Sequence, residues 1–166
     1  MTEKIFGIDV GKSGAIAVAI NSSISIIKMP EDTKGLKVFF EKHDTENSIV
    51  FMEKVSAFIG ENDAKKYAII KMLGQARELK TVLEFMGFKV VEVAPITWQT
   101  QLGLKFKGME KAERKKKYFE FAKRWASKNK IHKYQGDAVC ILACGMKMIK
   151  EKHPLVGGSM KNLDLF

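Results

Sequence analysis

The sequence contains Ile5-Phe6-Gly7-Ile8-Asp9-Val10 as its first apolar run, followed by the turn residues Gly11-Lys12-Ser13-Gly14. Two more apolar runs, at 15–20 and 24–29, are separated by Asn21-Ser22-Ser23. Short apolar runs with turn residues between them are typical of a β-meander. The opening of the chain therefore predicts three consecutive strands, the first of which ends beside a carboxylate.

Strands and helices then alternate along the chain. Helical spacing over 36–40 precedes the run Ile49-Val50-Phe51-Met52, which is continuous enough for a strand buried on both faces. Another strand is predicted at 89–93, after a long helix at 66–86 that Gly87 would close. The remaining predicted helices are 96–104, 109–127 and 137–150.

This order of elements predicts an α/β fold in which helices cover both sides of a mixed sheet. Residues 1–150 are expected to form one domain. The C-terminal tail, 151–166, shows no hydrophobic periodicity.

Composition limits the partners and the compartment. The formal net charge of +10 on 166 residues indicates a polyanionic partner, either nucleic acid or an acidic membrane surface. No apolar run approaches the ~18 residues of a membrane span, and the N-terminal residues lack the pattern of a signal peptide. The two cysteines cannot form a disulfide framework, so a cytoplasmic, reduced protein is expected.

Two carboxylates occupy unusual positions. Asp9 lies within the first apolar run, and Glu53 directly follows the run at 49–52. An ionised side chain in a central strand is costly unless it is compensated, and a divalent cation with oxygen ligands would compensate it. The alternatives are that Asp9 hydrogen-bonds its own glycine-rich turn and that Glu53 pairs with a lysine.

A third carboxylate, Asp137, begins the last apolar helix. Alone it would be interpreted as a helix N-cap. However, Asp137, Cys140, Ile141 and Cys144 have the spacing i, i+3, i+4 and i+7, so the acid shares the face that packs on the sheet. Three acids from two strands and one helix could therefore meet at one point.

Five segments in order resemble a known family. They are GIDVGKSGAIAV at 7–18, VFMEKVSAF at 50–58, LGQAR at 73–77, VEVAPITWQTQLGL at 91–104 and HKYQGDAVCILACG at 132–145. Together they resemble the RuvC-like Holliday junction resolvases, and the fourth is similar to the phage and prophage branch. The match covers roughly residues 4 to 146.

The resemblance implies a ribonuclease-H-like fold, a five-stranded mixed sheet made of a three-strand meander plus two parallel strands. It implies a homodimer that cuts four-way junctions, with forks and flaps as further candidate substrates. The expected location is the cytoplasm of a bacterial or phage-infected cell. Asp9, Glu53 and Asp137 correspond to the catalytic metal ligands, with two Mg²⁺ or Mn²⁺ ions expected per active site.

Two further residues match the family less closely. Family members usually carry a fourth ligand three to five residues before the last acid, and His132 is the candidate there; a surface histidine is the alternative. Phe58 corresponds to a phenylalanine that stacks into the junction centre in family members, with an offset of a couple of residues. A core position is the alternative for Phe58.

Basic residues are concentrated between 105 and 130. Lys111 and Lys115 share one helix face at i, i+4, which suits contacts to DNA phosphates. Candidate DNA contacts also include Lys105 and Lys107, together with Arg77 from the LGQAR segment. A merely solvated helix is the alternative.

Two other functions remain open at this stage. One is a non-catalytic dimer that binds branched DNA on a degenerate nuclease fold. The other is an actin-like or sugar-kinase-type phosphate-binding domain, whose members share the Gly-Ile-Asp-x-Gly strand and turn but need a second domain. The wide apolar arc of helix 66–86 predicts that this helix is covered on two sides, by the sheet and by a second copy of the chain.

Overall fold

A computed structural model describes residues 3–11, 13–21, 23–56 and 63–156. The strands are β1 (Lys4–Asp9), β2 (Ala15–Ile20), β3 (Ser23–Lys28), β4 (Ser48–Glu53) and β5 (Lys89–Val93). The helices are α1 (Thr33–Phe40), α2 (Asp63–Phe85), α3 (Pro95–Gln101), α4 (Lys111–Trp125) and α5 (Gly136–Lys150), and a 3₁₀ turn spans Lys133–Gln135.

The strands form one sheet in the order β3-β2-β1-β4-β5. β1 pairs antiparallel with β2, and β2 with β3, whereas β1 pairs parallel with β4, and β4 with β5. The α/β fold and the mixed sheet, a three-strand meander plus two parallel strands, are therefore confirmed. Helical crossovers make the parallel pairings possible, because parallel neighbours cannot be joined by a tight hairpin.

Side chains alternate between the two faces of β1, because successive residues of a strand point in opposite directions. Ile5 packs in the hydrophobic cluster that contains most of α5, and Phe6 and Ile8 pack in the cluster that contains Leu79 and Leu83 of α2. The odd-numbered residues of β1, Asp9 included, therefore point to the α5 side of the sheet.

Close contact between β1 and α5 depends on Gly7. A Cβ atom at Gly7 would collide with the backbone of Leu142 and Ala138. The absence of a side chain lets α5 lie directly on the central strand, with its N-terminal turn near the carboxyl end of β1. This placement brings the start of α5 to the end of the strand that carries Asp9.

Two predicted helices are shorter than expected. The sequence pattern extends α3 to residue 104, but Gly103 adopts φ +67° and the helix ends at Gln101. The pattern begins α4 at 109, but Glu110 is extended at ψ 146° and the helix begins at Lys111. No helix within the four described ranges has the length and apolarity needed to span a lipid bilayer.

Replacing Gly7 by alanine tests the close approach of α5. Gly7→Ala is expected to lower the free energy of unfolding by about 2–3 kcal/mol, because backbone atoms cannot rotate away from the added methyl group. Gly74→Ala is the matched control: nothing lies within 4 Å of the added atom, and alanine stabilises a helix by up to about 1 kcal/mol relative to glycine. Urea unfolding of both variants measures the difference, and equal effects would contradict this packing.

Candidate active site

The parallel pairing of β1 with β4 places two carboxylates side by side. Ile8 lies opposite Met52 in the register, so Asp9 and Glu53 follow at the carboxyl ends of adjacent strands. Both point to the α5 side of the sheet, and both are mostly buried. Asp137 lies in the first turn of α5 and is 6% exposed. Two strands and one helix thus bring three acids to one end of the sheet.

Burial and electrostatic repulsion both disfavour ionisation within this group. Burial, with repulsion from Asp137 and Glu53, raises the pKa of Asp9 to about 8, although Lys115 opposes the change. Burial is also the main reason that the pKa of Glu53 is raised. The fold therefore holds a group of carboxyl groups whose ionisation is unfavourable, and one lysine offsets this cost only in part.

Lys115 of α4 is the cation at this group. Its ammonium donates a hydrogen bond and forms a salt bridge to Asp137 Oδ2. Burial lowers the pKa of Lys115, but attraction to Asp137, then to Asp9 and Glu53, outweighs burial and raises it. The lysine side chain is 51% exposed, so the ammonium reaches the acids from the solvent side.

The structure decides between two earlier interpretations. Asp137 is not the helix N-cap, because α5 begins at Gly136 and Gln135 occupies the cap position. Glu53 Oε1 accepts a hydrogen bond from Trp98 Nε1 at 3.1 Å, so its hydrogen-bonding partner is a neutral ring. Trp98 is a residue that sequence reasoning did not assign to the site, since only the fold brings α3 beside the end of β4.

The carboxylate oxygens are suitable ligands for a hard divalent cation, but their present arrangement does not form a metal site. Among the described residues, no group of three or more His, Cys, Asp or Glu side chains is arranged to hold a metal ion. Lys115 contacts Asp137, so its ammonium must withdraw before Asp137 can contribute to such a group. The buried oxygen donors and their uncompensated charge nevertheless fit Mg²⁺ or Mn²⁺, which prefer carboxylate ligands.

His132 lies outside the contacts that join the three acids. Its exposed ring stacks on Tyr134 with centroids 5.6 Å apart, and its backbone N–H donates to Gln135 Oε1 at 2.8 Å. None of the contacts found among the described residues links this ring to a carboxylate of the site. Phe58 falls outside the described residues.

The other predicted DNA contacts are distributed over three elements. Lys111 lies on α4 and lines a pocket beside Glu53 and Asp137. Lys105 and Lys107 are exposed in the segment before α4, and Arg77 is exposed on α2. The pocket also includes Arg114 and Tyr118, which sequence reasoning did not assign to the site. The signal available in the sequence was their spacing from Lys111, at i+3 and i+7.

A mixed sheet of this order, with acids at the ends of β1 and β4 and at the start of α5, has the ribonuclease-H-like architecture. RuvC is a protein whose solved structures share it. The Thermus thermophilus RuvC structure is 16% identical, with a TM-score of 0.56, and the match covers 90% of this chain and 96% of that one. T. thermophilus RuvC in complex with Holliday junction substrate is 14% identical, with a TM-score of 0.55, and covers 89% and 96%.

The sequence itself matches no family model and no curated protein. At the identities of the solved structures, the similarity establishes the fold. The chain therefore has the ribonuclease-H-like fold of RuvC, as the resemblance predicted.

The raised pKa of Asp9 predicts a pH-dependent cost to stability. Because the folded-state pKa, about 8, exceeds the ordinary 3.8, the folded protein binds the extra proton and loses stability as pH rises between these values. Asp9→Asn should therefore stabilise the protein in EDTA by several kcal/mol at pH 8.5, at about 1.4 kcal/mol per pKa unit, and by little at pH 4.

Denaturant unfolding at the two pH values measures this difference. Asp44→Asn is the control. The pKa of Asp44 is lowered, mainly by a hydrogen bond from the Asn47 side chain. Removing the Asp44 carboxylate should therefore give no gain in stability at high pH. An Asp9→Asn effect that is independent of pH would contradict the raised pKa of Asp9.

Proposed function

We propose that this chain is a metal-dependent, structure-specific endonuclease that cuts Holliday junctions and other branched DNA. The observation that carries the proposal is the convergence of Asp9, Glu53 and Asp137 on a RuvC fold, beside a lysine-rich helix. The solved structure of T. thermophilus RuvC with a Holliday junction substrate supports the choice of DNA. Such DNA would be met in the cytoplasm of a bacterial or phage-infected cell.

The acids would hold two Mg²⁺ or Mn²⁺ ions, which would supply an activated water and stabilise the departing oxygen. Trp98 keeps the Glu53 carboxylate in one orientation through its hydrogen bond. Lys115 neutralises part of the charge before the substrate arrives, and it is half exposed, so its ammonium can turn from Asp137 to a phosphate. The proposal rests on three carboxylates, because no contact supports His132 as a fourth ligand.

DNA binding would extend beyond the acids along α4. Lys111 lies on the same helix face as Lys115, and Lys105 and Lys107 are exposed in the preceding segment. Contacts from these lysines and from Arg77 would be made to phosphates, so they would contribute affinity on every sequence.

A cleavage assay on a four-way junction tests the proposal. Wild-type protein with Mg²⁺ or Mn²⁺ should nick opposite strands, and Asp9→Asn, Glu53→Gln and Asp137→Asn should each lower the rate at least about 100-fold. Junction binding in Ca²⁺ should persist or tighten, because a negative charge near phosphate is removed. Glu92→Gln is the matched control: Glu92 lies opposite Met52 on β5 but pairs with Lys80.

Each alternative function has its own outcome in this assay. A protein that binds the junction but produces no nicks with either metal would be the non-catalytic DNA-binding dimer. The contact of Lys115 with Asp137 favours this alternative, because it occupies a carboxylate that a metal ion would need. ATP hydrolysis without DNA would indicate the actin-like or sugar-kinase-type class. Full activity in an amide variant would remove that carboxylate from the catalytic set.

We also propose a homodimer formed through α2. Ala76, Leu79 and Leu83 are buried toward the sheet, whereas Tyr67, Ile70 and Phe85 are 72%, 58% and 93% exposed. The exposed residues follow helical spacing along the side of α2 away from the sheet. An isologous contact between two copies of this face would present two sites to a junction of twofold symmetry.

A charge on this face is expected to separate the dimer. Ile70→Glu should sediment as a monomer at micromolar concentration, where wild-type protein should show twice the monomer mass, because burying an unpaired carboxylate is unfavourable. Val38→Glu, at a 48% exposed position of α1, is the matched control and should remain dimeric. A wild-type protein that is monomeric both alone and on junction DNA would contradict the proposal that two copies nick opposite strands.

A further inference from the structure

A pocket of about 150 Å³ opens between α4 and two of the three acids, Glu53 and Asp137. Glu53 and Asp137 form its acidic wall, and Lys111, Arg114 and Lys115 form its basic wall, with Tyr118 also lining it. A cavity of this size accommodates a molecule as large as benzene. The pocket is therefore large enough for one phosphate group.

Two residues that line this pocket each carry a buried polar atom that has no hydrogen-bond partner among the described residues. Among the described residues, Arg114 Nε and Tyr118 OH are the buried side-chain nitrogen and oxygen atoms without one. Tyr118 is 4% exposed, so its hydroxyl group has little access to bulk water. Buried polar atoms are nearly always paired, and both of these groups can donate a hydrogen. Neither donor is paired with an acceptor among the described residues, and one ligand oxygen or two would satisfy both.

Charge identifies the chemical class of this acceptor. Lys111, Arg114, Lys115 and Tyr118 have the spacing i, i+3, i+4 and i+7, so one face of α4 carries them all. Within the described ranges, Lys115 pairs with Asp137, and neither Lys111 nor Arg114 forms a salt bridge. A guanidinium group and a hydroxyl group beside two lysines match a phosphate oxygen in charge and in hydrogen-bonding capacity.

We propose that this pocket binds a phosphate of the cleaved DNA strand next to the scissile one, with Arg114 Nε and Tyr118 OH as donors. The inference rests on the proposed nuclease function, since it names a subsite of the same substrate. Glu53 and Asp137 would repel a phosphate at the acidic wall, so the bound phosphate lies against α4. Its position would set which phosphodiester bond reaches the acids.

An aromatic group holds the hydroxyl in place. The Trp98 and Tyr118 rings make an edge contact with centroids 4.9 Å apart, and Phe106 stacks against Tyr118 at 6.5 Å. Trp98 also donates its hydrogen bond to Glu53. Trp98 therefore contacts both the Tyr118 ring and the Glu53 carboxylate. We expect this shared contact to keep the hydroxyl group and the carboxylate at a constant separation.

Nitrogen-15 labelling of arginine gives a direct test. The sequence has three arginines, Arg77, Arg114 and Arg124, and Arg114→Lys identifies the signal of interest. In EDTA, titration with inorganic phosphate, and separately with an oligonucleotide lacking terminal phosphates, should shift the Arg114 Nε–H signal to saturation. The signals of the exposed Arg77 and Arg124 should move less.

The two titrations distinguish the sources of phosphate. A response to the oligonucleotide, with or without a response to inorganic phosphate, supports a phosphodiester site. A response to inorganic phosphate alone, or to neither, overturns the proposal. Neither titration needs cleavage, so a protein that fails the junction assay can still pass this test, and an active nuclease can still fail it.

Tyr118→Phe separates ligand binding from a structural role. Loss of the hydroxyl should weaken junction binding in Ca²⁺ about 10-fold, by fluorescence anisotropy, because one charge-assisted hydrogen bond is lost. The melting temperature should stay the same or rise, since the deleted group has no hydrogen-bond partner within the described ranges. Tyr134→Phe, at an exposed position, is the matched control and should change neither quantity. A lower melting temperature with unchanged affinity would assign Tyr118 a structural role only.

Discussion

The cost of desolvating neighbouring carboxylates, to which their mutual repulsion adds, is the constraint on which the rest of this molecule depends. Asp9 and Glu53 are brought beside Asp137 although each of the two would be more stable, in the ionised form, if it were separated and hydrated. The remainder of the fold must supply enough packing energy to keep them together. Such an arrangement is typical of functional sites, where stability is sacrificed for a local concentration of charge.

The packing that opposes this repulsion comes from both faces of the sheet. On one face, α5 is buried along almost its whole length and approaches β1 at Gly7. On the other, Phe6 and Phe40 pack against Phe88 in an aromatic cluster. Because β1 contributes to both clusters, Asp9 cannot move away from its neighbours without disrupting the core.

Helix α4 contributes the positive charge that the sheet lacks. Lys115 reaches Asp137, and Arg114 and Tyr118 face the adjoining pocket with unpaired donors. The site therefore combines an acidic half, made by strands and α5, with a basic half made by one helix. A phosphodiester with bound cations has the charge pattern that would complement both halves.

The sequence alone determined the order of the strands and helices along the chain. It also singled out Asp9, Glu53 and Asp137 as acids that could meet at one point. Apolar runs interrupted by single carboxylates are local signals, and the periodicity of 137–150 placed Asp137 on the buried face of α5. The ends of α3 and α4 were predicted less well, because Gly103 and Glu110 adopt backbone conformations that hydrophobic periodicity does not encode.

Only the tertiary structure decided which partners the acids have. The pairing of Lys115 with Asp137 and the hydrogen bond from Trp98 to Glu53 join residues that are 22 and 45 positions apart. The pocket beside them is also lined by residues of different elements. Periodicity reports which face of an element is buried, whereas these contacts depend on how α3 and α4 pack against the ends of β1 and β4. That packing is a property of the whole core, and no local stretch of the sequence contains it.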